Sequence, residues 1–305
     1  MKLIRLCIWL IFAFTLSACQ SGAKEQEDNS QTSNTKPAPP SRDFAPSWTS
    51  DNESILFVSN REGNDELYQK DLRAKEIYRL TNNDSRDGRP VMSPDGKWIA
   101  FYTEETGDGE IFIMTSGKLI KKQFTFSPGM DEPHSWSPNS DQLIYYSERD
   151  GNGEIYLQSI ESDQAVNLTQ HPARDQWPSF SPDGKQFVFS SDRDSVNKND
   201  LYIYTFSSKE IRRLTENSDD NYHPTWSPDG SQIAYTTAND AECVIRLIDT
   251  TGKQIKQLSP KGSVEFEPTW RSDGEYITLV SVVENQWQII MVHVPTGARR
   301  KLADY

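Results

Sequence analysis

The chain has 305 residues, with 45 Asp and Glu against 32 Lys and Arg and a formal net charge of −13. That acidity excludes a nucleic-acid-binding role built on phosphate neutralisation, because such affinity comes mainly from Lys and Arg. Aromatic residues make up 11% of the chain, which supplies a packed core and excludes global disorder, while three cysteines cannot build a disulfide framework.

In chain order, the first element is an export signal. Lys2 and Arg5 precede an apolar run over residues 6–16, then the small residues Ser17 and Ala18, then Cys19. The run is shorter than the about 20 apolar residues that span a bilayer, so residues 1–18 read as a signal peptide. The sequence Leu16-Ser17-Ala18-Cys19 resembles a bacterial lipobox. The resemblance implies cleavage before Cys19 and a diacylglycerol on its thiol. Cys243 would then be the remaining thiol, and the mature charge would be −15. An Asp directly after the lipidated cysteine resembles an inner-membrane retention signal. Gln20 stands there instead, so the expected location is the periplasmic face of the outer membrane. Residues 19–42 contain no large apolar side chain and are expected to be a disordered tether. Its 23 residues beyond Cys19 would span roughly 25–30 Å on average as a coil.

Repeats account for residues 43–305. The segments Pro90-Val-Met-Ser-Pro-Asp-Gly96, Trp177-Pro-Ser-Phe-Ser-Pro-Asp-Gly184 and His223-Pro-Thr-Trp-Ser-Pro-Asp-Gly230 are copies of one motif. The turn residue recurs at Asp51, Asp95, Asn139, Asp183, Asp229 and Asp273, at intervals of 44, 44, 44, 46 and 44. Each copy begins with a short segment ending in Trp48, Met92, Trp136, Phe180, Trp226 or Trp270. A Pro-Asp-Gly-type turn follows, where Gly tolerates positive φ. Next comes a β-rich run, at 55–59, 98–102, 143–147, 187–191, 233–237 and 277–281. An alternating strand such as Glu66-Leu-Tyr-Gln and a short fourth strand complete the copy, the latter ending at Leu80, Phe124, Leu168, Leu214, Leu258 and Leu302. Four strands in about 44 residues is the period of a propeller blade. The fold class is therefore all-β: a six-bladed β-propeller with four antiparallel strands per blade. The aromatic ending each first strand is expected to fill the contact between neighbouring blades. The phase of the repeat leaves no evident strand exchange between the ends of the chain.

These motifs resemble the WD-like propeller repeats of the TolB type, over residues 43–302. The resemblance implies an envelope propeller that binds other proteins. Where TolB carries an N-terminal α/β domain, this sequence places an anchor and a tether.

Common catalytic signatures are missing from the sequence: no G-x-S-x-G, no H-E-x-x-H and no glycine-rich phosphate loop. Cys243, at the start of a predicted strand, reads as packing. His134 and His223 lie on first strands, which line a propeller's tunnel. Some propellers of similar repeats are pectic-oligosaccharide lyases with a His-rich metal site, so a metal-dependent carbohydrate lyase or hydrolase at the tunnel mouth is the alternative reading. Loops between second and third strands emerge on one face; together they hold 16 acidic and 4 basic residues. Such a face would steer a basic partner. Five residues before each blade aromatic or Met stand Asp43, Asp87, Asp131, Asp175, Asn221 and Glu265. These are the candidate binding residues, a ring expected at the mouth that would hold a divalent cation or a Lys or Arg of the partner. The reading is thus a monomeric, lipid-anchored scaffold that docks a protein or peptide of the cell envelope, with no resident cofactor and no catalytic residue assigned.

Overall fold

The computed structural model describes residues 41–117, 121–195 and 198–305. The signal peptide, Cys19 and nearly all of the tether lie outside the described residues. Six four-stranded antiparallel sheets follow one another along the chain, each built from consecutive strands in sequence order. The first strands are Asp43–Trp48, Asp87–Met92, Asp131–Trp136, Asp175–Phe180, Asp220–Trp226 and Glu265–Trp270. This is the six-bladed propeller that the repeat period predicts. No helix among the described residues is long and apolar enough to cross a membrane.

Local chemistry explains the regularity. Second strands carry near-continuous apolar runs because both of their faces are covered; every residue of Ser54–Ser59 is buried. The turn before them is tied by side chains. In blade two the Asp95 carboxylate accepts from the Ser93 hydroxyl (2.7 Å) and the Lys97 N–H (3.1 Å), and Gly96 takes φ 72°. Ser181, Asp183 and Gly184 repeat the arrangement in blade four. Blade six departs at its outer hairpin, where Glu284 (φ 51°) and Asn285 (φ 64°) form a two-residue turn between Val283 and Gln286.

The cores lie between blades. Trp136 packs with Ile111, Ile113 and Phe124 of blade two and Leu143 and Tyr145 of its own blade. Trp226 is set likewise among Leu201, Ile203 and Leu214 on one side and Ile233 and Tyr235 on the other. Fourth strands stop one residue short of the sequence expectation, at Arg79, Gln123 and Asn167 for example. The apolar residue that follows still donates its N–H to the third strand, Phe124 to Ile111 at 2.8 Å, while its side chain enters the seam. Among the described residues the ring closes without a strand shared between blades one and six. Trp48 meets Ile289, Met291 and Leu302 of blade six, and the Asn52 amide donates to the Ser272 hydroxyl at 2.7 Å.

Candidate functional site

Register fixes which ends of the strands share a face. Asp43 lies opposite Ser59, and Ser59 opposite Glu66, so first-strand starts and the acidic loops surround one mouth of the tunnel. The Pro-Asp-Gly turns lie at the other end.

Each first strand carries a bulge. In blade two, Gly88 pairs with Tyr102 and Val91 with Ala100, so two residues oppose one. At the bulge, five residues other than glycine hold positive φ: Ala45 (49°), Arg89 (46°), Trp177 (53°), His223 (50°) and Glu267 (54°). Each precedes a proline. Such backbone costs on the order of 1–3 kcal/mol per residue and concentrates at functional sites. Blade three has the reversed order Pro133-His134, and there His134 is the extra residue. Ala45, Arg89, His134, Trp177, His223 and Glu267 line both the mouth cavity and the one beneath it, so they form a belt at the tunnel's waist. Below the belt stand Pro46, Pro90, Pro133, Pro178, Pro224 and Pro268.

The belt is also an electrostatic cluster. Arg89 donates to the Glu132 carboxylate and lies 3.5 Å from both Glu267 Oε1 and His223 Nε2. A second oxygen of Glu267 accepts from the Ala45 N–H at 3.0 Å, across the closing seam. Burial, with Arg89 alongside, holds both His134 and His223 well below the ordinary histidine range, so both are neutral at pH 7. Burial pushes the Glu267 carboxyl up, and Arg89 opposes that shift. One cation thus stands between two carboxylates at the floor of the mouth. Among the described residues no three His, Cys, Asp or Glu side chains come together as a metal-holding group.

Above the belt the walls differ by side. Blades four, six and one contribute Trp177, Phe266, Trp287 and Phe44, and the buried Tyr222 of blade five backs Trp177. Ring centroids are 5.6 Å apart for Trp177–Tyr222, 5.2 Å for Phe266–Trp287 and 5.9 Å for Phe44–Trp287. On the opposite side, Tyr102 donates to Glu104 (2.7 Å) and Tyr146 to Glu148 (2.6 Å). Arg86 and Arg174 pair with those glutamates, at 3.5 Å each. A Cβ on Gly153 would lie 2.3 Å from the Tyr146 ring, so that tyrosine lies flat only against glycine. The cavity between these walls holds about 150 Å³.

The six candidate positions named from the sequence all lie at or beside first-strand starts on the mouth face. Their side chains are engaged locally. Asp43, Asp131 and Asp175 pair with Arg61 (2.9 Å), Arg149 (3.0 Å) and Arg193 (2.9 Å) of their own blades. Each of these arginines also lies over a third-strand ring, Tyr68, Tyr156 or Tyr202, at 4.9, 4.4 and 4.9 Å. Asp87 accepts from Asn83 (2.8 Å), Asn221 donates to Asn217 (3.1 Å) and Asp200 (3.3 Å), and Glu265 pairs with Arg299. Of the six, only Asp87 lines the mouth cavity. Cys243 is buried beside the Tyr222 hydroxyl at 3.3 Å, as a packing residue would be.

The same positions meet acids from the preceding blade's third strand, Glu110 against Asp131 being the sharpest case. Burial, with Asp131 adding to it and the Thr125 hydroxyl opposing, pushes the Glu110 carboxyl up to about 7. Its folded value lies above its ordinary one, so its contribution is complete below about pH 4.5 and is lost as pH rises through about 7. Stability measured in urea is expected to fall between pH 5 and 8, and Glu110→Gln to flatten that fall. An unchanged pH slope in the variant would show that Glu110 titrates normally.

The belt escaped the sequence reading, which followed what repeats. Three residues before the blade aromatic the copies read Ala, Arg, Pro, Trp, His and Glu. That unlikeness among otherwise matching repeats was the available signal.

Comparison with known proteins places these features. The chain matches the family described as TolB beta propeller domain over residues 27–130 and 120–303. No curated protein matches it. Among solved structures, a TolB candidate from Agrobacterium tumefaciens superposes with TM-score 0.70 at 22% identity, over 80% of this chain and 92% of that one. TolB from Acinetobacter baumannii gives TM-score 0.64 at 26% identity over 70% of this chain, which spans about half (53%) of that protein. An oligogalacturonate lyase from Vibrio parahaemolyticus shares the fold, with TM-score 0.60 at 17% identity over 86% of this chain and 78% of that one.

Proposed function

The chain belongs to the TolB beta propeller domain family, and from that premise we propose that it is a lipid-anchored periplasmic scaffold that receives a segment of another protein in its tunnel mouth. The observation that carries this reading is the asymmetry of the mouth: an aromatic wall of Trp177, Phe266, Trp287 and Phe44 above a floor where one guanidinium stands between two carboxylates. Aromatic side chains in a partly desolvated pocket are the usual anchors of protein interfaces. A carboxylate-rich floor under aromatic faces suits a Lys or Arg, through charge and through attraction of the cation to the rings. The surrounding acidic loops would speed the approach of such a segment and make its on-rate fall with salt.

A photo-cross-linking residue in place of Trp287, installed in living cells, tests this. The expected result is a discrete adduct with an envelope protein, absent when the same residue replaces Asn139 on the turn face. Against the segment so identified, Trp287→Ala is expected to weaken binding on the order of 30-fold. Equal adducts from both faces would sink the reading. So would a saturable turnover of an oligosaccharide lost with His134 or His223, which would favour the enzyme alternative.

A further inference from the structure

Five of the six seams between blades are crossed by the chain itself, since each blade follows the last in sequence. Those five also share main-chain hydrogen bonds at the mouth end. The N–H groups of Asp87, Asp131, Asp175 and Asn221 donate to the carbonyls of Asp65, Gly109, Gly153 and Asn199 of the preceding blade, at 2.9–3.0 Å. At the fifth seam the direction reverses. Cys243 donates its N–H to the Ser263 carbonyl just ahead of blade six, at 3.1 Å, beside a parallel bridge from Cys243 to Val264. Between blades six and one, no hydrogen bond from main chain to main chain joins the described residues.

Side chains hold that seam at three heights. At the turn end, Asn52 and Ser272 exchange three hydrogen bonds of 2.7–3.1 Å in contact with solvent. At the waist, Glu267 Oε2 accepts from the Ala45 N–H at 3.0 Å, while Oε1 of the same carboxylate lies 3.5 Å from the Arg89 guanidinium. At the mouth, Phe44 meets Trp287 edge-on, with ring centroids 5.9 Å apart. The apolar packing is ordinary: Trp48 clusters with Met291 here as Trp136 clusters with Ile113 between blades two and three. Glu267 thus acts as a strap. It is rooted in blade six, it holds the first strand of blade one, and Arg89 braces it from blade two.

We propose that the propeller opens reversibly at the seam between blades six and one, and that Glu267 is the strap that keeps it shut. Any other seam can part only by straining a covalent link and breaking a main-chain hydrogen bond. This one releases side-chain contacts alone. Local openings draw on the least stable contacts of a fold and need no global unfolding. The opening also has a use. The mouth cavity holds about 150 Å³, below the roughly 300–1,000 Å³ of an ordinary ligand pocket. Trp287 of blade six and Phe44 of blade one both line it. Parting those blades widens the cavity on its aromatic side, whatever molecule it receives.

Amide hydrogen exchange in the full-length wild-type protein, read residue by residue by nuclear magnetic resonance, tests the opening. The Ala45 N–H, bonded across this seam, is expected to exchange at least about tenfold faster than the N–H groups of Asp87, Asp131 and Asp175, which are bonded across the others. Thiol labelling without denaturant gives a second measurement. Met291→Cys and Ile113→Cys replace buried residues at equivalent places in two seams, and each variant is read against the protein without the new thiol. Labelling at position 291 should be at least about tenfold faster than at 113. Glu267→Ala removes the acceptor and should speed labelling at 291 by about fivefold more than at 113. Glu267→Gln keeps an acceptor and should leave both rates near their starting values. Exchange at Ala45 no faster than at the other three amides, or equal labelling at the two cysteines, overturns the opening. Faster labelling at 291 that Glu267→Ala leaves unchanged overturns the role of the strap.

Discussion

Arg89→Met is expected to destabilise the propeller by about 3 kcal/mol, the lower end of the range for removing one partner of a buried charge cluster. The value is placed there because Arg89 and Glu132 each keep about a fifth of their side-chain surface (22%). Methionine retains most of the volume, so the loss reports charge rather than a cavity. The guanidinium is the belt's cation, between Glu132 and Glu267. Without it only the Ala45 N–H opposes the burial that already pushes Glu267 upward. Glu267, already raised, would then titrate higher still in the folded state, and the variant should lose further stability as pH climbs from about 5 to about 8. Urea midpoints at the two pH values measure both effects. Adding Glu132→Gln and Glu267→Gln should restore most of the loss, since a neutral belt has no charge left to pair and the amide oxygen at 267 can still accept from the Ala45 N–H. A midpoint unmoved by Arg89→Met would mean that the belt is solvated and its ion pairs incidental.

Trp226→Ala should cost as much by a different route. The indole is 7% exposed and joins Leu201, Ile203 and Leu214 of blade four to Ile233 and Tyr235 of blade five. Truncating a buried aromatic leaves a cavity worth about 3–5 kcal/mol. For a body of this size that corresponds to a melting shift of roughly 6–20 °C. Trp270 ends the equivalent strand of blade six but is only partly buried against its cluster, so Trp270→Ala should shift the transition less. Equal shifts would show that the seams share the strain rather than failing one at a time. A shift under about 1 °C at Trp226 would contradict its burial.

The repeat made the architecture readable because propeller blades differ little in backbone. The Ser-Pro-Asp-Gly turn, the apolar second strand and the seam aromatic each follow from local chemistry, and each is where the period places it. The fourth strands were read one residue long. Leu80 and its counterparts look like strand residues, but packing draws them into the seam. The belt was hidden for a physical reason. A non-glycine residue at φ near 50° followed by proline gives no signature of its own, and Arg89, Trp177 and Glu267 share no chemistry. Of the belt, only His134 and His223 stood out, since histidines attract notice at any position. The candidate ring at Asp43, Asp131 and Asp175 was legible as a column of acids. Its pairing with Arg61, Arg149 and Arg193 depends on loops folding back eighteen residues later, which spacing alone does not dictate.

Because every sheet is made of consecutive strands, no blade waits for the far end of the polypeptide. A propeller that borrows its last strand from the opposite terminus leaves its first sheet incomplete until synthesis and export have finished. Here blade one holds all four of its strands once residue 79 has been synthesised, and each later blade can dock on the one before it. Synthesis, amino terminus first, thus matches the order in which the cores between blades form. The contacts made on the way are short in sequence, which favours rapid folding. The last event is the meeting of Trp48 with Ile289, Met291 and Leu302, a docking of two finished surfaces with no strand left to be exchanged between them.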